Sequence, residues 1–148
     1  MSLLTLFQNV LSVQAVTYVA NSRFYAPYVG YAAQLPAKDP DETWVLTLDA
    51  TAALAPGETL TKITLAQSIV MVGTDANAAA VLSTSPAPQI NPATITLSNS
   101  VSIGAANAVL CEITAGLSGC KYQITIVVET SNPFKTLALK CVIPVSSN

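Results

Sequence analysis

Asp39, Asp41 and Glu42 fall close together, and with Asp49 or Asp75 they are the set of side chains best placed by type to hold a cation. A Ca²⁺ ion takes six to eight oxygens. The run lacks the glycine and closing glutamate of an EF-hand loop, and Pro40 interrupts it, so the expectation is a solvated acidic turn and no metal site. Cys120-Lys121 sets a thiol beside a cation, an arrangement that favours the thiolate, but no histidine or second catalytic group accompanies it. Histidine is absent from the whole chain, which removes the usual group for acid–base work near neutral pH. Ser and Thr are plentiful, yet there is no Gly-x-Ser-x-Gly elbow and no glycine loop to cradle phosphate. The expectation is a protein that is not an enzyme and takes no cofactor.

The elements that would carry these groups read as β. Segments Thr43–Asp49, Leu60–Ala66, Ser68–Val72, Ala79–Ser83, Ala93–Leu97, Val101–Ala105, Ala108–Thr114, Tyr122–Thr130 and Lys135–Ile143 are rich in β-branched residues, and several alternate, as Leu46 and Leu48 do against Thr47 and Asp49. Turn signals separate them, among them Ala55-Pro56-Gly57, Ser85-Pro86-Ala87-Pro88 and Gly116 to Gly119. Short strands at this spacing predict an all-β, antiparallel sandwich over residues 36–148. Asp39-Pro40-Asp41-Glu42 is a turn in which Pro fixes φ and Asp caps its own backbone. Gly57 can take the positive φ that a hairpin turn needs. Tyr122 opens a strand after a turn ending at Gly119, the place of a tyrosine corner, whose hydroxyl bonds nearby backbone.

Composition narrows the surroundings. Of 148 residues, 51% are hydrophobic and only 9% charged, against about 25% charged in ordinary soluble domains. Such a surface suits one hidden by protein partners. With a formal net charge of -2 and no basic cluster, nucleic-acid binding has no electrostatic footprint. The apolar stretch Leu3–Val19 is broken by Gln8, Asn9, Ser12, Gln14 and Thr17, so no membrane span is expected, and without an early cation it is read as part of the mature protein. Cys111, Cys120 and Cys141 are odd in number and lack metal spacing. They read as small buried hydrophobes in a reducing compartment, with a single bridge between neighbouring strands left open.

Residues 1–35 differ from the rest. They hold six of the nine aromatic residues: Phe7, Tyr18, Phe24, Tyr25, Tyr28 and Tyr31. Leu4, Phe7 and Leu11 fit a helical face, while Val10 to Val19 suits a strand. Tyrosine gives large contact area at low entropic cost, so the six are read as a partner-binding set on an N-terminal arm. The alternative is an arm that folds back over its own sandwich, since cores and interfaces share this composition.

Lys38-Asp39-Pro40-Asp41-Glu42, a strand ending Leu48-Asp49, then Leu54-Ala55-Pro56-Gly57-Glu58-Thr59-Leu60 resembles the opening of a family of small tailed-bacteriophage virion proteins, the fibre-tail adaptors. Leu117-Ser118-Gly119-Cys120-Lys121-Tyr122, the strand after it and the closing strand Leu137–Val145 resemble that family's far end. The resemblance spans residues 36 to 148. It departs at Ala50, where the family has an aromatic residue, in having only Gly116 and Gly119 before the last hairpin, and in the length of the arm.

The resemblance implies an Ig-like sandwich in a virion assembled in the host cytoplasm, with Asp39, Pro40, Asp41, Asp49, Gly57, Gly119 and Tyr122 in structural roles. It implies partners that are other virion proteins, a tail, neck or portal-proximal component and a fibre, and self-association in symmetric copies. A capsid decoration or adhesive module using loop Ser83–Pro92 is the alternative from another class. A pilin-like subunit is the third.

Overall fold

The computed structural model describes residues 18–21 and 24–147. It is an all-β sandwich with eleven strands among the described residues: β1 (Tyr18–Ala20), β2 (Tyr25–Pro27), β3 (Ala33–Gln34), β4 (Trp44–Asp49), β5 (Leu60–Val72), β6 (Gln89–Ile90), β7 (Ile95–Leu97), β8 (Ser102–Ile103), β9 (Ala108–Ile113), β10 (Lys121–Thr130) and β11 (Thr136–Pro144). They form one four-stranded sheet in the order β3-β11-β10-β5, a second in the order β2-β4-β9-β6, and a small sheet in the order β1-β7-β8.

Alternation builds the core. The inward sides of β4, β9, β10 and β11 carry Leu46, Leu48, Val109, Cys111, Ile113, Tyr122, Ile124, Ile126, Leu139, Cys141 and Ile143, all buried in one cluster between the two large sheets. Full burial of each Leu or Ile stabilises by roughly 1.5–3 kcal/mol. The opposite side of the β4–β9 pair is covered too. Ile95, Leu97, Ile103 and Ala108 make a second cluster with Tyr25 and Leu110 against it, so the small sheet is a third layer. Asn91 pins that layer: its Nδ2 donates to Ala93 O and Gly104 O, both at 2.9 Å, and its Oδ1 accepts from the amides of Asn107 and Ala108 at 3.1 and 2.9 Å.

The structure departs from the sequence expectation at three places. Leu60–Ala66 and Ser68–Val72 are one strand of 13 residues, because Gln67 pairs with Thr125 without interrupting the ladder. Ala79–Ser83 is not a strand; Ala78–Val81 is a short 3-10 turn whose run of alanines offers little for a pleated surface. The sheets are mixed, not purely antiparallel: β1 on β7, β2 on β4 and β3 on β11 are parallel pairs. In each parallel pair one partner comes from residues 18–35 and takes one sheet edge. Ala26 and Leu35 lie in the main core. An extended segment satisfies its backbone best by joining an existing ladder, and the edge of each sheet supplies one.

The three cysteines are free and buried. Burial pushes the Cys111 thiol up to about 12 and raises Cys141 still further, with Cys111 adding to the shift.

Candidate assembly surface

Aromatic residues of the N-terminal segment are held by neighbours that follow from strand order. Parallel pairing sets Tyr25 opposite Thr47 and Pro27 opposite Asp49. The Tyr25 hydroxyl donates to Asp49 Oδ2 at 2.7 Å, while Asp49 Oδ1 accepts from the Thr51 amide and hydroxyl at 2.9 and 2.6 Å. Tyr28 N donates to Asp49 O at 2.8 Å. Burial, then the Asp49 carboxylate, raises the Tyr25 pKa. One buried carboxylate therefore fastens residues 25–28 to the end of β4. Phe24 stacks on Trp44 with centroids 4.1 Å apart and rings 18° from parallel.

Of the rings read as partner-binding, Phe24, Tyr25 and Tyr28 are thus engaged within the chain, and Tyr31 is 72% exposed. Tyr18 lies on β1 opposite Ile95. Phe7 lies outside the described residues. Phe24 and Tyr28 pack on the main core and Tyr25 on the second cluster, and cores and interfaces share this composition.

The acidic turn is closed by its own groups. Asp41 N donates to Asp39 Oδ1 at 2.9 Å, Asp39 N to Glu42 Oε1 at 3.0 Å and Glu42 N to Asp39 O at 3.1 Å, around Pro40. Lys38, next to it, is fully buried; its Nζ donates to Asp39 O and Ala115 O, both at 2.9 Å. Burial lowers its pKa, against the opposing pull of Glu42, Asp39 and Asp41. Among the described residues, no three His, Cys, Asp or Glu side chains gather where they could hold a metal.

Gly57 has φ +80 after Pro56, and Glu58 N donates to Ala55 O at 2.9 Å. Glu58 then bonds Lys135 Nζ at 2.8 Å and the Thr130 hydroxyl at 2.6 Å, and these bonds with the Ala55 amide pull its carboxyl down to about 2. The turn at Gly119, φ +91, sends Gly119 N to Val145 O at 2.8 Å. Beside it the fully buried Tyr122 hydroxyl accepts from Leu117 N at 2.8 Å and donates to Asp75 Oδ2 at 2.7 Å. The resemblance-bearing residues that fall here hold turns and strand ends.

Sequence reasoning passed over the surface that is left. On β5 the apolar residues Leu65, Ile69, Met71 and Val72 are 44%, 42%, 52% and 51% exposed, and β5 has no strand partner beyond β10 among the described residues. Phe134, in the β10–β11 turn, is 97% exposed; an aromatic residue following Asn132-Pro133 was the available signal. On the other side of that sheet, a cavity of about 340 Å³ lies between residues 26–32 and β11 residues Thr136–Lys140. A shallower hollow of about 220 Å³ is lined by Val45, Pro86, Ala87, Gln89, Leu110, Cys111 and Glu112. No helix of the described residues is long and apolar enough to cross a membrane.

No family model and no curated protein matches the chain. Among solved structures, the solution structure of amebosin is similar over 87% of this chain and 98% of its own, at 11% identity and a TM-score of 0.34.

Proposed function

We propose that this chain is a structural subunit of a tailed-bacteriophage particle, an Ig-like adaptor at the tail or neck that joins a fibre or another virion protein and acts without catalysis. The observation that carries the reading is the exposed apolar run on β5, Leu65, Ile69, Met71 and Val72, on a chain that is only 9% charged. Native proteins blunt long edges with charge, Pro or cover; between Ile63 and Val72 this strand has neither charge nor Pro. Exposed Tyr31 and Phe134 add rings of the kind enriched at contacts between proteins. The resemblance over residues 36–148 supplies the particle.

Antibody raised against the chain should label particles of the encoding phage at one fixed axial position by electron microscopy. Particles that carry no label while the protein accumulates in the infected cell reject the proposal.

The apolar hollow beside Pro86 and Ala87 favours one other reading, a decoration or adhesive module that docks through loop Ser83–Pro92. Label spread over the capsid surface selects that reading.

A further inference from the structure

We infer that the edge of β5 that has no strand partner among the described residues pairs with β5 of a second copy, antiparallel about Gln67, joining two four-stranded sheets into one. The register supports this pairing on three grounds. From Leu65 to Val70 the β5–β10 ladder runs without a bulge, opposite Val127 to Tyr122, so this stretch presents a regular edge. Its side chains alternate: Leu65, Gln67 and Ile69 lie on the same side as Val127, Thr125 and Gln123, the outer face of the sheet.

An antiparallel pair must set same-side residues opposite one another. A two-fold axis through Gln67 does so and places Leu65 of each copy against Ile69 of the other, which buries both exposed apolar residues twice. Ala66 then faces Ser68, and the two Gln67 amides meet at the axis, where each can donate to the other. Charge is the third ground. Lys62 is the only charged residue of β5, and this register holds the two Lys62 roughly 34 Å apart, well beyond a Debye length.

Bulges at Thr64 and Met71, two of the three β5 residues skipped in the ladder, bound the regular stretch on either side. They limit the contact to a short one, smaller than a free-standing dimer uses. Such a contact is weak alone and effective where many copies are held together. The inference rests on the assembly reading above for its setting, but not for its test.

The test is register-specific cross-linking of the purified full-length chain. Directly opposed residues lie about 4.5–5.5 Å apart at Cα, inside the range a disulfide spans. Gln67→Cys should form a covalent dimer under mild oxidation, and Leu65→Cys mixed with Ile69→Cys should form a dimer that neither forms alone. Lys62→Cys should form none. Gln67→Lys opposes two cations at the axis and should weaken self-association on the order of tenfold in sedimentation, with an unchanged melt showing that the fold is intact.

A folded Gln67→Cys chain that yields no dimer overturns the inference, as does equal cross-linking through Lys62→Cys. Species beyond the dimer in sedimentation of the parent chain overturn it in favour of open pairing, β5 on the part of β11 that β3 leaves unpaired. Failure here with particle labelling intact removes this contact and leaves the adaptor. Label absent from particles, with the cross-link present, removes the adaptor and leaves the dimer.

Discussion

The two edges of the β3-β11-β10-β5 sheet are treated in opposite ways. At the β11 edge, Ala33–Gln34 adds a parallel strand, and the chain continues alongside to Lys38, whose amide donates to Pro144 O at 2.8 Å and whose buried Nζ is held by two carbonyls. At the β5 edge, 13 residues have a ladder on one side only among the described residues, with apolar side chains outermost. An edge that is covered by the protein's own chain loses its ability to template a neighbour, whereas an uncovered apolar edge keeps it. The difference teaches that the N-terminal segment closes sheets in its described part, while the strand opposite keeps an edge without a strand partner among the described residues.

The largest expected effect breaks the closed side. Asp49→Ala removes the acceptor of Tyr25 and of Thr51 and should cost about 3 kcal/mol in urea unfolding. Hydrogen exchange at the amides of Ala26 and Tyr28 should accelerate more than at β10. Equal acceleration in both would mean that the segment is no separate clasp.

Tyr122→Phe comes next, at about 1–2 kcal/mol, because it orphans the Leu117 amide and frees Asp75, the residue that ties the chain after β5 to β10. An unchanged melting curve would show that this tie contributes nothing. Gly57→Ala forces a side chain to φ +80 in open space just before β5, and should cost about 1 kcal/mol by the same melt.

Glu58 gives a pH signature at that turn. Its carboxyl is held at about 2, below its ordinary value, so its stabilisation is complete above that ordinary value, near 4.5, and is lost as pH falls towards 2. Melting temperature followed over this window should fall less steeply for Glu58→Gln than for the parent; parallel slopes would assign the acid sensitivity to other carboxylates. The smallest effect on stability is expected at the open edge. Leu65→Lys should change unfolding by no more than about 0.5 kcal/mol, as at other exposed sites, while reducing self-association measured by sedimentation. A large loss of stability would mean that Leu65 already packs against its own chain.

Much of the ladder was legible from residue type. Trp44–Asp49, Ala108–Ile113, Lys121–Thr130 and Thr136–Pro144 lie within two residues of the expected strands, because their alternation and β-branching state which side faces in. Tyr122 was legible from its place after Gly119. Lys38 was not: it adjoins an acidic turn expected to be solvated, yet it is buried, with its Nζ on Ala115 O far along the chain. Asn91 stands before Pro92, a pair that by type signals only a turn, and its four side-chain hydrogen bonds are invisible until Gly104, Asn107 and Ala108 are brought beside it. The candidate surface was the least legible part. Three of the six aromatic residues, Phe24, Tyr25 and Tyr28, are engaged within the chain, while Leu65, Ile69, Met71 and Val72 on β5 are exposed.

The sequence by itself determined the all-β class, the sandwich, the turns at Gly57 and Gly119 and the shortage of charge, since each depends on local periodicity, backbone freedom or composition. Only the tertiary structure decided which strand is an edge, which edge the N-terminal segment takes, and where Lys38, Asp49 and Asn91 find their partners. Burial of a side chain and pairing of a backbone amide are properties of neighbours distant in sequence, and a pattern along one strand is the same whether or not another strand lies beside it.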